Sequence, residues 1–151
     1  MVRRAFIISV LAITSTPTNA DAADDPIFYV RPGSNAPFSP VVRAGDYLYV
    51  SGQVGVDERG KVPPAMADQA RLAMEHTRDA LALAGGTLDD VVKCTVMLDD
   101  MSKWGEFNAA YVTFFKPGRL PARSAFGTKG LALGAGVEVE CLAYKPLGAR
   151  R

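Results

Sequence analysis

Three charged side chains late in the chain have the types and spacing for chemistry on a small anion: Arg123, at the mouth of one strand candidate, and Glu138 and Glu140 on the next. A guanidinium offers two parallel N–H donors to a planar carboxylate, so an arginine fixes both the place and the orientation of a small acid. Lysine would hold it less definitely. A carboxylate close by can aim a water and accept its proton. In Val137-Glu138-Val139-Glu140-Cys141, strand alternation puts both glutamates opposite the apolar Val137, Val139 and Cys141, so one is free to face a cleft. A tight Ser51-Gly52-Gln53 turn is the other distinctive polar feature. Plainer uses stay open: Arg123 could make a structural ion pair or end a strand in solvent. Glu138 could be an exposed carboxylate or an inter-subunit bridge, in which case Glu140 is the one that matters.

Other chemistries lack their residues. His76 is the sole histidine and sits at the boundary of a helical apolar face, where a packed or half-exposed structural role fits it. A two-histidine metal motif is therefore excluded, and a Ser-His-Asp triad has no nucleophile elbow to use. Cys94 and Cys141, without a histidine partner, cannot build a structural zinc site. Gly127, Gly130, Gly134 and Gly136 form no G-x-x-x-x-G-K-[ST] loop and lead into a strand, so they read as a connection and not a phosphate cradle. Trp104, Phe107, Tyr111, Phe114 and Phe115 recur at the spacing of a buried helix face, and core packing is the expected role.

The elements that must position these residues follow from periodicity. Pro26, Pro32, Pro37 and Pro40 forbid a helix in the first stretch, which must be a strand edge or loop. Tyr47 to Ser51 reads as a strand, and Asp57 to Gly60 as a turn returning through Lys61-Val62 in a hairpin. From Ala65 to Ala84 the period becomes helical: Met66, Ala70, Ala73, Met74, Thr77, Leu81 and Ala84 share one face, opposite Asp68, Arg71, Glu75, Arg78 and Asp79. Gly85-Gly86 closes that helix. A strand over about 91–98, a second helix over about 102–115 and strands over about 123–126 and 137–144 complete an α+β arrangement with two helices on one sheet. Cys94 shares its strand face with Val92, Val96 and Leu98, and Cys141 with Val137 and Val139, so two free core thiols are expected in preference to a disulfide.

The chain has 151 residues, 48% hydrophobic and 22% charged, which suits one folded domain and excludes a disordered tail, a collagen or a coiled coil. A net charge of +1 provides no field to hold nucleic acid or an anionic membrane. Arg3-Arg4, the apolar run Ala5 to Ile13 and the small residues before Asp21 have the layout of a signal peptide, with cleavage after Ala20 or Ala22. The run is too short to remain as a membrane anchor. Arg3-Arg4-Ala5-Phe6-Ile7 also suits a twin-arginine signal, which leaves the Sec and twin-arginine routes both open; a mitochondrial-type transit peptide and a floppy N-terminus are the alternative readings. Residues 1–22 are thus expected to be a leader and 23–151 one periplasmic or secreted domain.

Five segments in order carry a resemblance. Pro37-Phe38-Ser39-Pro40-Val41-Val42-Arg43-Ala44-Gly45-Asp46, Leu48-Tyr49-Val50-Ser51-Gly52-Gln53, and Asp100-Met101 with Phe107-Asn108-Ala109-Ala110-Tyr111 and Phe114-Phe115 come first. Pro121-Ala122-Arg123-Ser124 and Val137-Glu138-Val139-Glu140-Cys141-Leu142-Ala143 follow. Together they resemble the Rid (RidA/YjgF) family of reactive intermediate deaminases across nearly all of the mature domain.

The resemblance implies a chorismate-mutase-like fold, a homotrimer with three clefts between subunits, and cofactor-free hydrolysis of 2-imino acids to 2-oxo acids and ammonia. It assigns Arg123 to the substrate carboxylate and Glu138 to the attacking water. Ser51 and Gly52 would line the pocket through main-chain groups, Phe38 would cover the substrate, and Asn108 would sit near the site unless it merely braces the second helix. No metal is implied. Phe38 stands where members often carry tyrosine, so a hydroxyl is lost, and Ala125 stands where a cysteine is common, which keeps backbone contacts but removes any thiol. A second reading is a non-catalytic small-acid-binding or holdase-like envelope protein using the same cleft. Ribonuclease activity, reported for some relatives, conflicts with the near-zero charge and the missing histidine pair.

Overall fold

The computed structural model describes residues 25–148, so the leader expected at 1–22 lies outside the described residues. Strands β1 (Ile27–Tyr29), β2 (Val41–Ala44) and β3 (Tyr47–Val54) come first, then α1 (Met66–Leu83) and β4 (Val91–Leu98). Helix α2 (Trp104–Tyr111), β5 (Ala122–Gly127) and β6 (Val137–Tyr144) complete the chain. They build one six-stranded sheet in the order β1-β2-β3-β6-β4-β5. β6 is antiparallel to both β3 and β4, and β4 is parallel to β5, so α1 and α2 are the crossovers of two parallel connections. One core cluster joins the apolar faces of both helices to the inward side chains of β2, β3, β4 and β6, the expected α+β layering.

Helix α1 buries Met66, Ala70, Ala73, Met74, Thr77 and Leu81, the face its periodicity predicts, and adds Gln69 and Ala80. The Thr77 hydroxyl donates to the Ala73 carbonyl at 2.9 Å, which satisfies a polar group in the core. Gly85 ends the helix at a φ of +71°, a conformation that costs glycine nothing, and the Gly86 N–H donates back to the Leu81 carbonyl. Helix α2 is shorter than the expected 102–115, because single 3₁₀ turns at Met101–Lys103 and Val112–Phe114 flank it.

Three expectations need correction. The hairpin partner of β3 is β2, joined through Gly45 at a φ of +57°, and not a strand at Lys61-Val62. The Asp57 to Gly60 turn is real, with the Asp57 carboxylate accepting from the Arg59 and Lys61 N–H groups, but it hands the chain to α1. In β4, Val91 is buried and Val92 is exposed, because a register shift against β6 between Val91 and Lys93 reverses the alternation there. Finally, Cys94 and Cys141 form a disulfide. Their burial was legible, but the β4–β6 register places them directly opposite each other with Cα atoms 4.1 Å apart, and neither strand shows that alone.

Candidate active site

The Ser51-Gly52 segment is a β-bulge. Pairing of β3 with β6 passes from Val50 opposite Cys141 to Gln53 opposite Val139, which leaves one extra residue on β3. Into that space runs the side chain of Glu138, itself paired with Val54. A Cβ atom on Gly52 would lie 1.8 Å from Glu138 Oε1, so only glycine allows the carboxylate this position. Ser51 fastens the preceding segment to the bulge: its hydroxyl donates to the Ser39 carbonyl at 2.7 Å and its N–H to the Pro40 carbonyl at 3.0 Å. The Gln53 amide donates to the Ser51 and Gly52 carbonyls. Phe38, 55% exposed, lines a recess with Pro40, Gln53, His76 and Arg31. His76 is half-buried with Nδ1 3.0 Å from the Val54 carbonyl, the structural role expected of it. Phe38, Ser51, Gly52 and Glu138 therefore belong to one neighbourhood. Glu140 shares the outward face of β6 but is exposed, whereas Glu138 is half-buried.

Arg123 belongs to another. It is opposite Cys94 in the β5–β4 register, so its side chain leaves the sheet on the helix side. Its guanidinium carbon lies 4.5 Å from the centroid of the Trp104 ring, 4.6 Å from that of Tyr111 and 6.0 Å from that of Phe107. Among the described residues it makes no ion pair, and its Nη1 is buried with no hydrogen-bond partner. The Asn108 Oδ1 and the Tyr111 hydroxyl, one helical turn apart on α2, are buried and unpartnered as well. Burial pushes the Tyr111 hydroxyl above its ordinary pKa against the opposing pull of the Arg123 charge, so the phenol stays a neutral donor. Ala125 lies on the same face of β5 as Arg123, opposite Val96.

Arg43 supplies the contrast. That arginine is buried, and its Nη1 donates to the Lys145 carbonyl at 2.7 Å and its Nη2 to the Ala84 carbonyl at 3.3 Å, which ties the end of α1 to the residue after β6. Arg123 has rings around it, and its buried Nη1 has no acceptor among the described residues. A buried donor left unpaired costs about 1–3 kcal/mol, so such a nitrogen is suited to an incoming acceptor.

A single chain does not bring Arg123 and Glu138 to one small molecule. Glu138 is opposite Met97, which is opposite Phe126, three residues along β5 from Arg123. Two strand spacings across and three residues along put the two Cα atoms about 14 Å apart, with side chains on opposite faces. The chain thus presents two half-sites: Glu138 with the bulge and Phe38, and Arg123 with Asn108, Tyr111 and Ala125. Trp104 and Tyr111 are the residues the sequence reading missed. Core packing is their expected role, and Tyr111 is buried, but their faces also bracket the guanidinium. The signal available was a tryptophan and a tyrosine, rings with polar edges, seven residues apart on the helix before the arginine strand. Among the described residues no group of three or more His, Cys, Asp or Glu side chains is placed to hold a metal ion.

Residues 28–145 match the family model described as Endoribonuclease L-PSP. The chain is 38% identical over 116 residues to the mouse (Mus musculus) 2-iminobutanoate/2-iminopropanoate deaminase, covering 76% of this chain and 85% of that protein. The human (Homo sapiens) deaminase of the same name is 33% identical over 116 residues, covering 76% and 84% respectively. Among solved structures, E. coli TdcF with bound serine superimposes with a TM-score of 0.72 at 28% identity, covering 79% of this chain and 98% of that one. RidA from an Antarctic Psychrobacter does so with a TM-score of 0.69 at 33% identity, covering 75% and 92%. The six-stranded sheet, its two crossover helices and a sequence match running from Phe28 to Lys145 agree, and the chain belongs to the endoribonuclease L-PSP family of RidA/YjgF proteins.

Proposed function

We propose that the protein is a cofactor-free deaminase that hydrolyses small 2-imino acids to 2-oxo acids and ammonia. The observation that carries this reading is the Arg123 guanidinium, held by aromatic rings with a buried nitrogen that no described group satisfies. A substrate carboxylate would supply the missing acceptor. The deaminase relatives and the serine bound to TdcF support a small amino-acid-like ligand.

The iminium carbon is already electrophilic, so the protein has only to hold the acid, place a water and manage protons. Arg123 fixes the carboxylate, with Asn108 and the Tyr111 hydroxyl at hand beside it. Glu138 takes a proton from the water as its oxygen bonds to the C=N carbon. The carbinolamine that results receives that proton on nitrogen; as its C–N bond breaks and ammonia leaves, its hydroxyl proton passes to the Glu138 carboxylate and on to the departing ammonia, and the carbon becomes the carbonyl of the 2-oxo acid. Phe38 covers the substrate, the Ser51-Gly52 backbone lines the pocket, and the backbone at Ala125 flanks the carboxylate.

Because Arg123 and Glu138 leave opposite faces of their own sheet, the working cleft takes the arginine from one subunit and the glutamate from its neighbour in a homotrimer. We place the protein in the periplasm or outside the cell after removal of residues 1–22. The Cys94–Cys141 disulfide supports that compartment, since such bonds persist where the surroundings are oxidising.

Coupling an amino-acid oxidase to semicarbazide trapping measures imine decay directly. The purified protein is expected to accelerate decay over buffer and Arg123→Ala to lose the effect; no acceleration, or full activity in that variant, refutes the proposal. The non-catalytic reading predicts instead that small carboxylic acids raise the melting temperature while turnover stays at background.

A further inference from the structure

We propose that Trp104 and Tyr111 are positioning residues: their two ring faces clamp the Arg123 guanidinium, so the fork that meets the substrate anion is oriented before substrate arrives. This rests on the assignment of Arg123 to a carboxylate. Three features of the site support it.

The guanidinium carbon is nearly equidistant from the two ring centroids, at 4.5 and 4.6 Å, while Phe107 between them on the helix is farther away at 6.0 Å. Both distances fall within the range in which a cation is drawn to a ring face. The rings also do not compete for the fork. Aromatic faces attract the charge but accept no strong hydrogen bond from it, so the N–H donors remain available to an anion, as the unpartnered Nη1 shows. A carboxylate in the same place would instead occupy those donors, as carbonyls occupy both terminal nitrogens of Arg43.

The clamp is itself braced. The Trp104 and Phe107 rings stack 5.9 Å apart, Phe107 and Tyr111 lie 5.4 Å apart, and Tyr111 and Phe115 4.9 Å apart. An aromatic ladder therefore runs along α2, and Phe107 and Tyr111 are fixed in the core by burial. An arginine otherwise samples many rotamers, and each must be frozen when a ligand binds. Fixing them beforehand lowers the concentration of substrate needed without changing the chemical step.

The chain contains one tryptophan, so its emission reports on this clamp alone. Arg123→Met, which keeps the apolar stem and removes the charge, is expected to change the unliganded emission of Trp104; identical spectra overturn the proposal. In the full-length protein, Trp104→Leu is expected to weaken 2-oxobutanoate binding about tenfold by calorimetry. It should raise KM for the imine by a similar factor, with kcat changed less than threefold, and Trp104→Phe should restore both values to within threefold of the wild type. Trp104→Leu with wild-type affinity and KM, or a Trp104→Phe that fails to rescue, overturns the clamp and leaves the deaminase reading standing. If the protein binds 2-oxobutanoate with these variant effects but turns over no imine, the clamp stands and the deaminase reading falls.

Discussion

Two inactive variants, Arg123→Ala and Glu138→Gln, are expected to restore activity when their subunits are mixed. In the proposed trimer each cleft uses the arginine of one subunit and the glutamate of the next. With equal amounts and random assembly, a cleft is intact when a Glu138→Gln subunit, which keeps Arg123, precedes an Arg123→Ala subunit, which keeps Glu138. The chance is one half at each place, so about one quarter of the clefts are of wild-type composition. Against that, Arg123→Ala removes two charge-assisted hydrogen bonds worth about 1.5–3 kcal/mol each, and a loss of about 3 kcal/mol already leaves below about 1% of the rate. Glu138→Gln keeps the side-chain shape that fits over Gly52 while removing the proton acceptor. Co-refolding the two variants at equal concentration and following imine decay by semicarbazide trapping should therefore give about a quarter of wild-type activity from parents near background. A mixture no more active than the mean of its parents refutes the composite cleft.

The remaining predictions are simpler. Gly52→Ala is expected to displace the Glu138 carboxylate, whose Oε1 lies 1.8 Å from the new methyl position; since that atom ends a mobile side chain, deaminase activity should fall at least tenfold with little change in melting temperature, and retained activity would contradict the site. Replacing Cys94 and Cys141 by alanine removes a crosslink spanning 47 residues, and denaturant titration should show a loss of about 4 kcal/mol by the chain-entropy relation. At Asp90, burial works to raise the pKa, but bonds from the Thr87 N–H and hydroxyl and from Lys145 outweigh it and hold the carboxyl below its ordinary value of 3.8. A lowered folded pKa stabilises above the unfolded value and is lost as pH falls through it, so the wild type should exceed Asp90→Asn in stability at neutral pH, with the gap closing below about pH 4 in acid titrations followed by circular dichroism.

Much of the fold was legible because its signals are local. Helix α1 and strands β4 and β6 fall where periodicity puts them, since each is long enough for the pattern to repeat. β2 is only four residues, set between Pro40 and Gly45, too short to announce itself as the partner of β3. The disulfide and the facing of β5 depend on register between strands far apart in sequence. β5 in particular reads Ala-Arg-Ser-Ala-Phe-Gly, with apolar residues on both faces, so nothing in it says that Arg123 turns toward the helices and Phe126 away. The candidate residues were identified by type and resemblance; their division into two half-sites required the sheet.

The placement of β6 has a consequence for how the molecule is made. The last strand to leave the ribosome is an interior one, and until it arrives the first three strands and the β4–β5 pair have no hydrogen bonds to each other across the gap. Cotranslational folding can reach two open fragments, each with a strand edge of unpaired N–H and C=O groups, and only emergence of Val137–Tyr144 lets them zip together. Nonsense or frameshift lesions upstream of Val137 would thus yield sticky halves in place of a smaller domain, and holding factors that shield nascent strands would matter most until β6 has emerged.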